Sequence, residues 1–312
     1  MPRLQHLRPE GHPGSGPDFG FEFTAMGSPC RIRLGRLDEA SARALADEAI
    51  AEVRRIEMKY SRYRADSVVS RINVLAGTGE ALQLDEETAA LIRYAERLHE
   101  GSEGRFDLTS GVLRRAWDFR HGRVPRSAEV EALLPLVGWT RVIWQDGCLA
   151  LPQRGMEIDL GGLGKEYAAD RAATLLTDAG VLSGYVNLGG DIRVVGPQSD
   201  GQPWRMGIAH PRVEGAIIAG VDLAGGALAT SGDYERFVEA DGRRFCHILD
   251  PHTGWPVGYW RSVSVVAPAC LAAGALTTVA MLMQERAVEF LRSQGVGFLA
   301  IDPDGEIVQE GV

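Results

Sequence analysis

A glycine-rich turn around Lys165 is the first stretch of the chain whose residue types suggest chemistry. The sequence IDLGGLGKEYAAD (158–170) predicts a strand, then glycines that let a ligand approach the backbone, then a helix. A helix N-terminus attracts anions, and Asp159 and Lys165 flank this turn. Lys165 is one of only two lysines, the other being Lys59, and arginine does not freely replace a compact ammonium. The turn suggests a phosphate site, although it matches no standard nucleotide motif, and a tight turn with a solvated lysine is the alternative.

A histidine near the end of an apolar strand is the second candidate. In FCHILDPHTGWPV (245–257), His247 is followed by Asp250 and then by a turn at Pro251 and Gly254. A histidine in such a strand is often a hydrogen-bonded core residue. The acid and the rigid turn that follow His247 make a positioned acid–base residue the sharper hypothesis.

Three other stretches combine glycines with polar groups, and each has a structural alternative. VNLGGDIRVVG (186–196) is typical of two strands around a Gly-Gly turn, with Asp191 opening the second strand. ALATSGDYERF (227–237) offers hydroxyls and backbone N–H groups to a ligand, or equally a capped turn. GRFDLTSGVLRRAW (104–117) places Asp107 before a helix, where it is suited to be a cap.

The composition limits the classes of function. The chain has 312 residues, 45% of them hydrophobic, which is enough for one large domain or two closely packed ones. A net charge of -9 argues against a protein that binds nucleic acid through a basic face. No short metal-binding spacing joins the cysteines, and we expect four small buried thiols: Cys30, Cys148, Cys246 and Cys270.

The ends and the apolar stretches predict a protein without membrane insertion. Residues 1–20 form a polar, flexible lead-in to one domain at 21–312, and they contain no apolar signal segment, so we expect a cytoplasmic location. The uncharged stretch 262–283 is long enough to span a bilayer. Its first part alternates and ends at Pro268, which predicts a strand followed by a buried helix instead.

The elements that must position these candidates form a mixed pattern. Apolar spacing predicts helices over 37–61, with Asp38 as the N-cap, and over 85–104. MEIDL (156–160) is expected to be a strand. Further helices are predicted at 127–137, 164–180 and 285–294, and hairpin turns at 146–147, 241–242 and 303–305. Helices and strands interleave without strict alternation, which predicts one α+β (mixed α/β) domain with mixed sheets and packed helices.

The order of the motifs resembles the ApbE family, the FAD:protein FMN transferases. The resemblance runs from about residue 21 to 310. It rests on eight ordered motifs: MGS at 26–28, SRYRADSVVSRIN, GRFDLTSGVL, DLGGLGKEYAAD, VNLGGDI, ATSGDYE, HILDPHTGWPV and LAAGALTT.

This resemblance implies an activity and a set of site residues. The enzyme would use Mg²⁺ to split FAD, attach FMN through a phosphoester to a Thr or Ser hydroxyl of an acceptor flavoprotein, and release AMP. His247 would be the base, and the carbonyl of Gly162 and Thr278 would meet the metal. The implied contacts to FAD are Met26, Tyr63, Phe106, Asp107, Asp159, Lys165 and Ile248.

Two departures from the family pattern bear on these expectations. Many relatives have Lys-Gly-Tyr where this chain has Lys165-Glu166-Tyr167, and Glu166 is expected to point to solvent. LAAGALTT carries Gly274 where the family usually has a metal-binding aspartate, with no Asp or Glu between 261 and 284 to replace it. Mg²⁺ often uses only one or two carboxylates, so the loss weakens the site without abolishing it. The alternative is a catalytically impaired FAD-binding protein of the same fold.

Overall fold

The computed structural model describes residues 17–119 and 121–312. The expected lead-in therefore lies outside the described residues up to position 16, and the first strand begins at Phe19. The helices are α1 (Glu39–Tyr60), α2 (Val68–Val74), α3 (Glu86–Gly101), α4 (Ser127–Glu131), α5 (Gly164–Asp178), α6 (Cys270–Met283) and α7 (Ala287–Gln294). Short 3-10 turns cover Leu108–Arg115, Leu134–Leu136, Trp139–Arg141 and Gln284–Arg286.

Eight strands form one antiparallel sheet in the order β1-β2-β6-β7-β10-β13-β14-β15. They are β1 (Phe19–Ala25), β2 (Ser28–Leu34), β6 (Gly184–Leu188), β7 (Asp191–Gly196), β10 (Ala227–Gly232), β13 (Ser262–Ala267), β14 (Gly297–Ile301) and β15 (Ile307–Glu310). The smaller sheets contain β3 (Leu82–Gln83), β4 (Ile143–Gln145), β5 (Cys148–Ala150), β8 (Trp204–Ala209), β9 (Ile217–Leu223), β11 (Phe237–Ala240) and β12 (Arg243–Cys246). The expected α+β class is confirmed.

The large sheet is covered on both faces, as strand alternation requires. In β10, Ala227 and Ala229 belong to the main core with α5 and α6. Leu228, between them, points to the opposite face and packs with the β8–β9 hairpin around Trp204. The helical layer therefore lies on one face of the sheet, and the hairpin covers part of the other.

Helices α5 and α6 lie side by side and contact each other at two places, one helical turn apart. Helix α6 begins after Ala269, which has no side chain that can cap it. Asp170 of α5 supplies the cap instead, accepting from the backbone N–H groups of Cys270 and Leu271 at 2.8 Å each. One turn earlier on α5 and one turn later on α6, Glu166 meets Gly274. The two contacts run in opposite chain directions, so the helices are antiparallel.

Most predicted elements are present within a few residues of their expected ends. Asp38 caps α1 by accepting from the N–H of Ser41 at 2.9 Å. The hairpin turns at 146–147 and 241–242 have positive φ at both central residues, as two-residue turns of this type require. The predicted helix at 127–137 is shorter, because α4 ends at Glu131.

The expected strand at 156–160 is wrong. This segment pairs with no strand among the described residues, and a side chain provides its hydrogen bonds instead. The carboxamide of Asn73 accepts from the N–H of Ile158 at 2.7 Å and donates to its carbonyl at 3.0 Å. The N–H of Asp159 donates to the carbonyl of Leu108 at 2.9 Å. The backbone groups are therefore paired without a ladder.

The cysteines and the apolar helix largely follow expectation. All four thiols are free; Cys30, Cys246 and Cys270 are buried, whereas Cys148 is only half-buried, so that part of the expectation is wrong. The stretch 262–283 forms β13 and the buried helix α6. Within 17–119 and 121–312, no helix has the length and apolar character needed to cross a bilayer.

Candidate active site

The two residues at the start of α5 form a buried charge cluster with the start of β7. Lys165 Nζ lies 2.7 Å from Asp191 Oδ2, and the Asp191 side chain is only 3% exposed. Asp191 Oδ1 also accepts from the N–H of Thr230, at 3.2 Å. Burial works against the charged ammonium, but the charges of Asp191 and Glu166 outweigh it and raise the pKa of Lys165. We call Lys165, Glu166 and Asp191 the Lys165 cluster.

Glu166 does not point to solvent, and that expectation is wrong. The residue is 7% exposed, and its Oε2 atom is buried with no hydrogen-bond partner in the part of the chain that the structure describes. Burial, and then the charge of Asp191, raise the pKa of the Glu166 carboxyl. A buried acid without a partner for one oxygen is costly, so the fold leaves this group unsatisfied at a place where a ligand could satisfy it.

The reason for Gly274 is visible in its contact with Glu166. A Cβ atom at position 274 would lie 2.4 Å from Cγ and 3.0 Å from Cδ of Glu166. Real Cβ atoms do not approach other atoms so closely. The glycine of α6 therefore makes room for the glutamate of α5, which places a carboxyl group next to position 274.

Hydroxyl groups follow Gly274 on the same face of α6. Thr277 Oγ1 donates to the carbonyl of Gly274 at 2.8 Å and lies 2.9 Å from Ser231 Oγ. Ser231 Oγ is also 3.5 Å from Thr278 Oγ1. Thr278 is one helical turn after Gly274, so its hydroxyl lies on the side of α6 that meets Glu166.

Two glycine turns approach the Lys165 side chain closely. Gly189 has φ 60° and follows β6. A Cβ at this position would lie 2.7 Å from the Cβ of Ser28 and 3.7 Å from Cδ of Lys165. The Gly-Gly turn and the Met-Gly-Ser turn, which are far apart in sequence, therefore lie side by side next to Lys165.

His247 lies within electrostatic reach of the same cluster. Burial, followed by the positive charges of Arg236 and Lys165, lowers the pKa of His247 to about 4. Its Nδ1 atom is buried and has no hydrogen-bond partner among the described residues, and the backbone N–H of His247 donates to the carbonyl of Arg236 at 3.0 Å. One ring nitrogen of His247 is therefore left unsatisfied, unlike those of a fully hydrogen-bonded core histidine. His247 is a neutral imidazole at pH 7.

Asp159 and Tyr63 are brought together by an arginine. Asp159 accepts from the N–H of Gly161 at 2.9 Å and forms an ion pair with Arg62. Arg62 Nη2 donates to the hydroxyl of Tyr63 at 2.9 Å and lies over its ring. Tyr63 is 80% exposed, so its ring is free to meet a ligand. The glycine turn before Lys165 is thus connected to this exposed aromatic residue.

Asp107 is placed near the turn but is fully engaged inside the protein. Its Oδ1 accepts from the N–H and hydroxyl of Thr109, and its Oδ2 accepts from the N–H of Trp139 at 2.9 Å. The residue is 8% exposed. This pattern matches the capping alternative. The expected FAD contact of Asp107 remains a prediction that this geometry does not favour.

The remaining candidates occupy different parts of the neighbourhood. Phe106 is buried, and its ring would lie 3.6 Å from a Cβ at Gly162. Met26 is half-buried with φ 52°, and its N–H donates to Glu57 Oε1 at 2.6 Å. Ile248, next to His247, is 8% exposed. Met26 sits beside Gly27, where a Cβ would lie 4.0 Å from Arg236.

Sequence reasoning missed the importance of Glu166, Asp191 and Arg62. Asp191 was visible as an acid directly after a Gly-Gly turn, but the pattern alone did not connect it with Lys165. Glu166 carried a signal too, because its departure from Lys-Gly-Tyr coincides with the change at Gly274. Only the contact between the two helices relates these positions.

The described residues contain no group of three or more His, Cys, Asp or Glu side chains able to hold a metal. A site made of one carboxylate, hydroxyl or carbonyl oxygens, and the phosphates of a substrate has a different composition. That composition is the one Mg²⁺ commonly uses. The unsatisfied oxygen of Glu166 and the hydroxyl of Thr278 fit it.

Comparison with known proteins identifies the family. The model of the ApbE family matches residues 26–300, and the chain belongs to this family. The FAD:protein FMN transferase of Klebsiella pneumoniae (strain 342) is 31% identical over 292 residues, which cover 90% of this chain and 83% of that protein. The FAD:protein FMN transferase of Vibrio cholerae serotype O1 is 32% identical over 252 residues, covering 79% and 75%.

Solved structures agree with this assignment. The crystal structure of the ApbE protein from Thermotoga maritima matches with a TM-score of 0.87 at 34% identity, over 94% of this chain and 97% of that chain. The flavin transferase ApbE from Vibrio cholerae matches with a TM-score of 0.84 at 28% identity, over 94% and 96%. The resemblance inferred from the motifs is confirmed.

Proposed function

We propose that this protein is an FAD:protein FMN transferase. The observation that carries the proposal is the convergence of Lys165 and His247 in one site. Lys165 lies at the start of α5, and His247 follows β12. The side chain of Lys165 lies against the Gly189 turn, which packs on Ser28. Gly27, next to Ser28, approaches Arg236, whose carbonyl accepts from the backbone N–H of His247 at 3.0 Å. A cation that can hold a phosphate and a neutral base that can accept a proton are the groups that transfer to a hydroxyl requires.

The N-terminus of α5 is the proposed seat of the FAD diphosphate. Its N–H groups and dipole favour an anion, and the ammonium of Lys165, which Asp191 holds at 2.7 Å, lies beside them. The glycines at 161–162 leave the backbone open to close approach. On the other side of the turn, Arg62 links Asp159 to the exposed ring of Tyr63, which is suited to stack on a flavin or an adenine.

The proposed step is an in-line displacement at the phosphorus of the FMN half. The oxygen of a Thr or Ser hydroxyl on the acceptor forms a new bond to this phosphorus. The bond from this phosphorus to the oxygen that bridges the two phosphates breaks, and AMP leaves with that oxygen. The proton of the hydroxyl passes to the imidazole of His247, which is neutral at pH 7 because its pKa is lowered.

A divalent cation of the Mg²⁺ type fits the oxygen-rich side of the site. When bound, it would neutralise charge on the diphosphate. Glu166 and Thr278, and the carbonyl of Gly162 from the glycine turn, are the groups of this chain proposed to hold it. Lys165 is paired with Asp191 at 2.7 Å, and one oxygen of Glu166 has no hydrogen-bond partner among the described residues and is free to meet a cation.

The experiment is a transfer assay with a candidate acceptor flavoprotein. The protein is incubated with FAD, Mg²⁺ and the acceptor, and the products are separated under denaturing conditions. We expect flavin fluorescence covalently attached to the acceptor and release of AMP in equal amount. An acceptor whose candidate Thr or Ser is replaced by Ala is the matched control.

The outcomes separate the proposal from its alternatives. Tight binding of FAD without transfer to acceptors that other flavin transferases modify would support the impaired FAD-binding protein. Absence of any FAD affinity would refute both. The position of Glu166 favours the active enzyme, because it supplies a carboxylate next to the glycine that motivated the impaired alternative.

A further inference from the structure

The contact between Glu166 and Gly274 carries an inference about this chain's own metal chemistry. Glu166 is 7% exposed, and its Oε2 atom is buried without a partner among the described residues. The donors nearby are used elsewhere: Lys165 is paired with Asp191 at 2.7 Å, and Thr277 donates to the backbone of Gly274 at 2.8 Å. The protein therefore buries an acceptor that nothing in the described chain fills.

The surroundings of that oxygen are those of a hard cation site. Two carboxylates, Glu166 and Asp191, share a pocket with one ammonium, Lys165. The hydroxyl of Thr278 lies on the face of α6 that starts at Gly274, and Ser231 Oγ is within 3.5 Å of it. Carboxylate and hydroxyl oxygens are the ligands that suit a divalent cation of the Mg²⁺ or Mn²⁺ class.

The geometry points to Glu166 as the carboxylate ligand of a divalent cation, with Gly274 as the residue that makes room for it. The carboxylate reaches the site from α5, and the side chain of position 274 is absent because the two would occupy the same space. This inference rests on the proposed function only for the remaining ligands, which would be phosphate oxygens of FAD and water.

The test measures binding of Mn²⁺ itself, by the EPR signal of free Mn²⁺ during a titration with and without FAD. Glu166→Gln keeps the shape of the side chain and removes its charge. Since even groups that only orient a ligand change metal affinity about 10- to 100-fold, we expect at least a tenfold weaker Kd for this variant. Glu48→Gln, an exposed residue of α1 with the same loss of charge, should bind Mn²⁺ like the unmodified protein.

A second variant protects the test from a folding defect. Glu166→Ala combined with Gly274→Asp moves the carboxylate from α5 to α6 across the same contact, and should restore Mn²⁺ affinity to within about threefold of the unmodified protein. Gly274→Asp alone meets the side chain of Glu166 and should lower the melting temperature.

The results that overturn the inference are distinct from failure of the proposed function. Equal Mn²⁺ affinity of the unmodified protein and Glu166→Gln, or no Mn²⁺ binding by the unmodified protein in either titration, would refute a ligand role for Glu166. A double variant that melts like the unmodified protein and binds Mn²⁺ as weakly as Glu166→Gln would also refute it. A separate titration, followed by flavin fluorescence, measures the affinity for FAD. If the protein does not bind FAD, the proposed transferase function is refuted, but the comparison of Mn²⁺ affinities still tests the role of Glu166.

Discussion

The two lysines of this protein stand in environments that differ in how completely their partners are satisfied. Lys59, in α1, contacts Asp85 at 2.8 Å and Glu87 at 2.6 Å. Glu87 is also bound by Arg55 at 2.6 Å and by the hydroxyl of Tyr167 at 2.9 Å. We call this group the Lys59 network: Glu52, Arg55, Lys59, Asp85 and Glu87. Around Lys165, by contrast, Glu166 has an oxygen and His247 has a nitrogen without a hydrogen-bond partner within residues 17–119 and 121–312.

This difference in hydrogen bonding distinguishes the Lys59 network, which is structural, from the Lys165 cluster, which is suited to chemistry. Hydrogen bonds from Arg55 and then from Lys59 and Tyr167 overcome the effect of burial and lower the pKa of Glu87 to about 2. In the Lys165 cluster, burial dominates and raises the pKa of Glu166. Consecutive residues of α5 contribute to both regions. Lys165 and Glu166 belong to the Lys165 cluster, whereas the hydroxyl of Tyr167 donates to Glu87 of the Lys59 network. A substrate and a cation can supply the partners that the oxygen of Glu166 and the nitrogen of His247 lack.

The largest expected effect comes from removing the proposed base. Since a positioned acid–base group contributes about 10²- to 10⁴-fold to a rate, His247→Ala should lower transfer by a factor in that range. FAD affinity should stay within about threefold, because the imidazole acts on the acceptor hydroxyl. Single-turnover transfer and flavin fluorescence measure the two quantities. His252→Ala, a more exposed histidine of the same turn, is the control. Unchanged turnover would remove His247 from the mechanism.

The next effect distinguishes the two lysines by stability. Lys165→Met leaves the carboxylate of Asp191 buried without its counter-ion, which should cost about 3 kcal/mol of the free energy of unfolding. Urea denaturation measures this loss. Combining the change with Asp191→Asn removes the stranded charge and should recover most of the stability. A loss below about 1 kcal/mol would mean that Asp191 does not depend on Lys165.

A smaller effect is expected in the pH dependence of kcat/KM. An ordinary histidine base has a pKa near 6.5 and would lose about 90% of its active form at pH 5.5. With the pKa of His247 lowered to about 4, the imidazole stays neutral at pH 5.5, and its protonation should lower activity only as the pH falls through about 4. The same shift means that stability attributable to neutral His247 is present above 6.5 and is lost between 6.5 and 4. An acid limb near 6.5, measured on folded protein, would contradict this environment.

The smallest effect is expected in the Lys59 network. Lys59→Met removes one of three side chains that bind Glu87, and Arg55 and Tyr167 remain. The free energy of unfolding should fall by about 1 kcal/mol or less, and transfer should be unchanged. The same urea titration and transfer assay measure both. A loss as large as that of Lys165→Met would erase the distinction between the two lysines.

Local signals in the sequence predicted most of the fold. Asp38 before an apolar repeat gave the start of α1, and the Asp-Gly pairs at 146–147 and 241–242 gave hairpins, because each of these depends on neighbouring residues alone. The prediction of a strand at MEIDL (156–160) was wrong because it, too, considered neighbouring residues alone. The alternation of this segment resembles a strand, but its hydrogen-bond partner is the side chain of Asn73, which no local pattern reveals.

The candidate site was predictable as a set of motifs but not as a set of contacts. The glycine turns and His247 carried recognisable patterns, whereas the pairing of Lys165 with Asp191 depends on how β7 packs against α5. Glu166 was expected to point to solvent, as most glutamates do. Its burial arises from α6, which is about a hundred residues further along the chain and is fixed to α5 by Asp170.

The shared space between positions 166 and 274 also restricts how such a protein can change over time. A side chain longer than glycine at 274 and a glutamate in its present rotamer at 166 exclude each other. A lineage that exchanged one arrangement for the other by single substitutions would pass either through a crowded interior or through a sequence with neither acid. The residues at positions 166 and 274 are therefore expected to covary among relatives. A search that requires an acid at only one of these two positions would overlook relatives that carry the acid at the other.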